Sequence, residues 1–423
     1  MNTKILSLII FIATYIFFII LPGKRTSVAL ASVAFLLSAG AISFKEAFFA
    51  INWNVMGIFV GTLIIADLFM DSGMPAYIAE RIVNSSRNTA QAILSICILT
   101  GFISAVVENV ATVLIIAPIA LSLAKKLNIN PVNMIISIAI SSNLQGVATL
   151  VGDPPSMLLA GFAKMNFWDF FIYHGKPGIF FAVELGAIAS IFVLFYIFKK
   201  HKEKISLVSV EKIKSLIPTV ILVLLVVSLA LSSFLSEGFS YAGAICMVLG
   251  FLGLIWDKIF NKSLLTKRII VLDWETTLFL MGVFIIVGSL TVNGWIDAIA
   301  LNLSNLIGGN LFLGYTVIVF ASVFLSAFVD NVPFLAAMLP VAISMSGSLG
   351  VPPQLFLFGL LIGASLGGNI TPFGASANIV ACGLLKKEGY EIKFMDFVRI
   401  GLPFTLVAVG AAYLFLWKVW GRF

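Results

Sequence analysis

Apolar runs of roughly 17–25 residues recur along the whole of this 423-residue chain, each long enough to cross a hydrocarbon core of about 30 Å as a helix. That recurrence leaves few folds open. In lipid every backbone polar group must be satisfied inside the protein, so only helices and closed barrels span. Membrane barrels are written as short alternating segments, which this chain lacks. The expectation is an all-α polytopic, multi-pass membrane protein. Charged residues make up 11% of the chain, against about 25% in soluble domains, which excludes a water-soluble fold. The net charge of +7 then serves as a topology signal, and no nucleic-acid partner is expected.

Candidate spans lie at about 5–22, 27–43, 54–70, 132–163 and 178–198, and again at about 216–235, 240–257, 275–292, 354–385 and 400–417. In each set a longer apolar segment, 89–125 or 311–346, precedes the fourth span and is interrupted by polar residues, Glu108-Asn109 and Asp330-Asn331. The two sets match residue by residue. At an offset of 221, Trp53, Gly61 and Gly73 fall on Trp274, Gly282 and Gly294. At 222 the register continues through Ser104/Ser326, Glu108/Asp330, Asn109/Asn331, Pro118/Pro340, Gly146/Gly368, Thr149/Thr371 and Gly152/Gly374. Chance does not place that many special residues in one register, so the chain is read as two repeats, 1–205 and 206–423.

Five crossings per half force the second half to enter from the opposite side. The positive-inside rule tests this independently. Segments near 22–26, 72–88, 124–131, 199–215, 257–270 and 386–399 hold 20 of the 26 Lys and Arg, which assigns them to the cytoplasm and both termini to the outside. The fold expected is an inverted repeat of two halves, each with five transmembrane helices plus one re-entrant hairpin, and with broken helices at mid-membrane. The chain is placed in the plasma (inner) membrane.

Four polar breaks carry the chemistry. A carboxylate inside the bilayer costs about 2.5–3.5 kcal/mol or more, so it persists by pairing, by protonation or by binding a cation. Glu108 and Asp330 at the hairpin tips fit that description; the plainer alternative is an acid that caps a half-helix. The fourth spans break at Ser142-Asn143 through Gly152-Asp153-Pro154-Pro155-Ser156 and at Ser365 through Asn378. Adjacent Gly and Pro stop a helix, freeing carbonyls on one side and N–H groups on the other. Carbonyls with Ser, Thr and Asn oxygens suit a small hard cation, and opposed helix N-termini suit an anion or polar solute. The plainer alternative here is packing glycines and kinks.

On these residues the chain resembles the ion transporter superfamily, which holds ArsB arsenite permeases, NhaD sodium/proton antiporters, the P protein, citrate carriers and divalent-anion/sodium symporters. The motifs carrying the resemblance are Glu108-Asn109, Asp330-Asn331-Val332-Pro333, Gly152-Asp153-Pro154-Pro155 and Gly367-Gly368-Asn369 through Gly374-Ala375-Ser376-Ala377-Asn378, and they are nearest the ArsB/P-protein branch. The symporter branch has Ser-Asn-Thr at its tips; here Glu108 and Asp330 replace that serine, which favours carboxylates handling Na⁺ or H⁺. The resemblance implies a scaffold from the first three spans of each half, commonly at a homodimer interface, and a transport domain of hairpins and broken helices.

The function expected is a cation-coupled secondary active transporter, not an enzyme, with no cofactor beyond Na⁺ or H⁺. The cation site is assigned to Glu108, Asn109, Thr112, Gly146, Thr149, Asp330, Asn331, Gly368 and Thr371, and the substrate site to Ser142, Asn143, Asp153, Pro154, Ser156, Ser365, Asn369, Ser376 and Asn378. No Arg falls inside an assigned span, which tilts the cargo toward a neutral metalloid such as arsenite or toward cation exchange of the NhaD type. Carboxylate or other anion uptake and an anion channel stay open. Asp67 and Glu184 have no symmetric counterparts, and Asp67 is read as a helix-end acid. Cys97, Cys246 and Cys382 are scattered and form no metal motif. The phosphate-binding pattern GxxxxGK[ST] is absent; an external ATPase partner is left open.

Overall fold

The computed structural model describes residues 3–127, 129–203, 211–235 and 238–422. Among these residues the chain forms twenty α-helices and one two-stranded hairpin, Ile172–Tyr173 with Lys176–Pro177. In the first half α1 (Thr3–Ile20), α2 (Arg25–Ser38), α3 (Phe44–Ala50), α4 (Trp53–Asp71) and α5 (Met74–Ser85) precede α6 (Thr89–Ser104), α7 (Asn109–Leu127), α8 (Val132–Gly146), α9 (Pro154–Ala163) and α10 (Ile179–Phe198). The second half has the same order: α11 (Ile217–Ser232), α12 (Gly238–Phe260), α13 (Leu265–Val271), α14 (Trp274–Val292), α15 (Trp295–Ile307), α16 (Leu311–Ser326), α17 (Asn331–Leu349), α18 (Gln354–Gly367), α19 (Ser376–Lys387) and α20 (Phe394–Trp420). Eight of these helices are long and apolar enough to cross a membrane, or nine with the α15–α16 pair, bent by 119°. The boundary expected between residues 205 and 206 lies outside the described residues.

Equivalent sequence signals start equivalent helices. Asn52 and Asp273 accept the N–H of Val55 and Thr276 at the heads of α4 and α14. Asn88 and Asn310 do the same for α6 and α16, satisfying amides that a helix start leaves unpaired. Gly73 and Gly294, at φ +75° and +70°, turn the chain sharply before α5 and α15, a backbone region that glycine enters without steric cost. The interrupted segments are helix–tip–helix pairs, α6–α7 and α16–α17, and the fourth spans are broken between α8 and α9 and between α18 and α19.

Two departures from the sequence reading concern α2 and the short helices. The span expected at 27–43 begins at Arg25 and stops at Ser38, because Gly40 at φ +65° turns the chain and Ser43 with Glu46 forms a capping box that starts α3. The short helices α3, α5, α13 and α15 fall in segments read as connectors or span ends; each alone is too short or too mixed in polarity to give a spanning signal.

The core is built by cross-packing between halves. α4 lies against α12, where a Cβ on Gly61 would sit 2.3 Å from the Cys246 carbonyl carbon and one on Gly57 3.1 Å from the Gly243 Cα. Contacts then rise together along both chains, Gly250 with Ile64 and Gly253 with Leu68, so the two helices run parallel. α2 and α14 pair likewise, from Thr26 Oγ1 on the Glu275 carbonyl to Gly282 against Ala29. The start of α4 follows Ala50, which packs on Gly288 near the end of α14; repeat-related α4 and α14 therefore run in opposite directions.

Helix ends collect on two faces. On one, Lys214 N–H bonds Ser72 O, Thr89 N–H bonds Glu203 O, Lys125 pairs with Glu388, and Arg268 holds Asp67 at 3.0 Å as well as Asp71 and Asp257. That ion pair is the partner of the helix-end acid Asp67. On the other face Asn293 bonds Ala41 O, Asn52 bonds Gly161 O and Trp295 bonds Lys4 O.

Candidate functional site

The hairpin tips meet the helix breaks, and the contacts repeat across the halves. Thr149 Oγ1 donates to Ala105 O, and Thr371 Oγ1 donates to Ala327 O at 2.5 Å, so each tip is tied to its break by one threonine. Gly152 lets carbonyls converge: a Cβ there would lie 2.4 Å from Gly146 O, 2.8 Å from Ser104 O and 3.0 Å from Ala105 O. Gly374 has Gly368 O at 2.6 Å and Ala327 O at 3.1 Å. Gly146 itself leaves room for the Asn109 amide, whose Oδ1 would be 2.2 Å from an added Cβ.

Around the first tip the polar groups bond one another. Ser104 Oγ donates to Asn109 Oδ1 at 2.6 Å and lies 2.9 Å from Ser142 Oγ; Asn109 Nδ2 donates to Asn143 Oδ1 at 3.3 Å. Asn143 Nδ2 then crosses between halves to Asn369 Oδ1 at 2.8 Å and Asn378 Oδ1 at 2.9 Å, while Asn378 Nδ2 donates to Gly368 O and Thr371 O, both at 2.9 Å. The chain of amides fixes the two breaks against each other. Around the second tip Ser365, which matches Asn143 by the repeat, has a buried hydroxyl without a hydrogen-bond partner. An orphaned buried oxygen is costly, and it marks the second half as the side with an unfilled donor or acceptor.

Between the breaks lies a cavity of about 510 Å³. Of the residues expected from sequence, Glu108, Asn109, Asn143, Asp153, Pro154, Asp330, Asn331 and Ser376 line it. Ser142, Asn369 and Asn378 stand behind its wall in the amide network. Thr112 and Ser156 bond carbonyls of their own helix starts, Glu108 O and Asp153 O. Thr149, Thr371, Gly146 and Gly368 shape the breaks, as described above.

Sequence reasoning missed Arg25, Thr26, Asp273, Glu275 and Phe279, which also line the cavity. No Arg falls inside an assigned span, but Arg25, two residues before the span expected at 27–43, reaches the cavity: at the head of α2 it forms an ion pair with Asp330, the two side chains being 23% and 12% exposed. It was hidden because a base at a span boundary reads as a topology signal, and no local motif reports a contact 305 residues away. Thr26, Asp273 and Glu275 place the cavity mouth on the face of α2 and α14 starts.

The wall has two characters. Glu108 and Asp153, the latter 6% exposed, stand at the first tip and break, beside Asn109 on the cavity wall. Pro154 and Pro155 have no N–H, so α9 offers no donor from its first two positions. Ser376 and Ala377 at the head of α19 carry N–H groups and line the cavity with Arg25, and a helix start favours negative charge. One side thus suits a cation and the other an anionic or oxygen-rich group.

Known proteins with related sequences include uncharacterised transporters and a membrane protein. An uncharacterised transporter of Mycobacterium bovis is 29% identical over 425 residues, covering 98% of both chains. The 46 kDa membrane protein of Mycobacterium leprae is 29% identical over 427 residues, with 98% of both chains covered. The human P protein is 24% identical over 449 residues, spanning 86% of this chain and 53% of that one. The crystal structure of the YdaH transporter of Alcanivorax borkumensis superposes with a TM-score of 0.63 at 11% identity, covering 100% of this chain and 99% of that one, which shows a shared fold. The citrate-transporter profile matches residues 15–262 and 254–422, and the chain belongs to that family of membrane transporters.

Proposed function

We propose that the chain is a cation-coupled secondary transporter of a small oxygen-rich solute, an oxyanion or a metalloid such as arsenite. The observation that carries this reading is the convergence of Glu108, Asp153 and Asp330 on one cavity that is also lined by the α19 start and by Arg25, the latter paired with Asp330. Three carboxylates in a largely buried cavity repel one another unless a cation or protons neutralise them. Na⁺ or H⁺ is held at the acids, with Asn109, Asn331 and the carbonyls gathered at Gly152 and Gly374 as neutral ligands. The cargo sits toward Ser376. An anionic cargo of the citrate class fits the same plan only with its cation, because one guanidinium already paired with Asp330 does not offset five wall carboxylates.

In this reading the two halves are inverted in the plasma membrane, the face bearing Arg268 and Lys214 is cytoplasmic, and both termini lie outside. The cavity then faces inward. Hairpins and broken helices move as a body against a scaffold of α1–α4 and α11–α14 to alternate access, the scaffold also forming a homodimer contact. Sodium/proton exchange without a second cargo is the rival reading, favoured by the acid excess of the wall.

Proteoliposomes test both. A Na⁺ or pH gradient is expected to drive labelled arsenite, phosphate or citrate, and Glu108→Gln, Asp153→Asn and Asp330→Asn are each expected to lower that flux at least about 100-fold without loss of assembled protein. Gradient-driven flux at wild-type rate in all three variants would reject the site. Na⁺ flux against protons with none of the three solutes moving would select the exchange reading.

A further inference from the structure

Beyond the bonds that tie each tip to its own break, the second hairpin tip is gripped by α1 and α2, and among the described residues no side-chain bond from their counterparts α11 and α12 reaches the first tip. Tyr15 of α1 donates its hydroxyl to Pro333 O, and Arg25 at the head of α2 pairs with Asp330. Arg25 also lies 6.0 Å from the centre of the Phe279 ring on α14, which shelters the guanidinium on a second side. The helix crossings set Ala29 against Gly282 where Cys246 meets Gly61. One turn earlier on each helix, this register puts Ala242 in the place of Arg25. Among the described residues no Lys or Arg pairs with Glu108, whose carboxylate instead accepts the Ala111 N–H at 3.0 Å in its own helix start. The repeat therefore supplies two tip acids, and the chain adds a resident cation to only one of them.

We propose that Arg25 is a built-in competitor for the coupling cation at Asp330. Its guanidinium occupies the carboxylate when the second tip is unloaded, and Na⁺ or a proton must displace it to bind there. This rests on the reading of Asp330 as a cation-handling group. The physical reason is charge: a carboxylate at hydrogen-bond distance from a guanidinium gains little from a second cation, whose repulsion by the first is strong where water is scarce. Arg25 belongs to α2 and Asp330 to the α16–α17 tip, so displacement also cuts a tie between them. Loading at this tip thus releases it from α2, whereas Glu108 fills without breaking any ion pair. The two acids of one symmetric pair take different parts in the cycle, Glu108 as an open site and Asp330 as a site with a threshold.

Carbodiimide modification tests this in the full-length protein in proteoliposomes. Dicyclohexylcarbodiimide adds to a protonated carboxyl and rearranges to a stable N-acylurea, which mass spectrometry reads separately on the Asp330 and Glu108 peptides. Arg25→Gln and Arg25→Met are both made, so the result does not hang on the folding of one variant, and Glu108 modification reports the fold. Asp330 is expected to be modified about tenfold faster in these variants, with Glu108 unchanged and with Na⁺ protecting Asp330 at lower concentration than in wild type. Arg25→Lys, which keeps the charge, is expected to stay at the wild-type rate. Equal Asp330 rates in wild type, Arg25→Gln and Arg25→Met overturn the proposal, as does a rise in Arg25→Lys equal to theirs. If neither Na⁺ nor pH alters modification of Glu108 or Asp330 in wild type, the cation-handling reading itself fails, whatever the Arg25 variants do.

Discussion

Replacing Gly152 by alanine adds one methyl group at the point where the first tip, the end of α8 and the break converge. The new Cβ would stand 2.4 Å from Gly146 O, 2.8 Å from Ser104 O and 3.0 Å from Ala105 O. A relaxed C···O contact needs about 3.3 Å, so Gly146 O must retreat by about 0.9 Å and the other two by smaller amounts. These atoms are backbone, and no side chain can rotate away to relieve them. Overpacking of this kind costs about 1–3 kcal/mol, and if the carbonyls hold the coupling ion the same energy weakens it about 5- to 150-fold. Gly374→Ala meets Gly368 O at 2.6 Å and Ala327 O at 3.1 Å, so its effect should be similar or somewhat smaller. Gly383 and Gly410 have nothing within 4 Å of an added Cβ, and alanine there should be neutral or slightly stabilising in a helix. The assay is the half-saturating concentration of the driving cation in proteoliposome flux, beside thermal unfolding of the purified protein. A Gly152→Ala protein within twofold of wild type in both measurements refutes the claim that this close approach shapes the ion site.

Three further outcomes follow from the same contacts. Thr149→Val and Thr371→Val each remove the hydroxyl that satisfies a buried tip carbonyl, so each should cost about 1–3 kcal/mol, and by near-equal amounts in thermal unfolding; a loss in one half alone would break the symmetry argument. Arg268→Ala strands Asp67 and the 1%-exposed side chain of Asp257 and should destabilise by on the order of 3 kcal/mol while leaving the half-saturating cation concentration unchanged. With the native cysteines replaced, His174→Cys should react with an impermeant maleimide added to intact cells and Lys262→Cys only after permeabilisation, and the reverse pattern would turn the molecule over in the membrane.

Sequence made the helical class, the repeat and the four breaks legible because each depends on local composition or on matching residues at one offset. Asn109, Thr149 and Gly152 stood out for the latter reason, and the structure brings all three to the same tip. Side-chain direction was not legible. Asn369 and Asn378 have the composition of a ligand-binding loop, yet their amides close on Asn143, Gly368 and Thr371; periodicity cannot tell a polar group facing a cavity from one satisfied behind it. The helices α5 and α15 escaped because each is only 12 or 13 residues long and carries both polar and apolar residues, so neither gives a spanning run by itself. Arg25 escaped for the reason that makes the positive-inside rule useful: near a span end, a base is expected whatever it touches.

Repeat matching therefore finds the frame of the site better than its chemistry. Positions that agree across the halves, Thr149 with Thr371 and Gly152 with Gly374, do the same structural task twice, holding a tip against a break. Positions that disagree face the cavity or stand beside it with different chemistry: Asp153 against Ala375, Asn143 against Ser365, Arg25 against Ala242. A symmetric scaffold lets a rigid body rock between two similar states, but equal charges at both tips would make the two loading steps alike. An acid added at one break and a guanidinium added at the opposite tip give those steps different electrostatic costs. On the proposed cation-coupled mechanism, the order in which cation and cargo bind would follow from Asp153, Asn143 and Arg25, which internal symmetry does not mark, and substitutions at those three, rather than in the shared frame, are the ones expected to change what is carried while leaving the fold as it is.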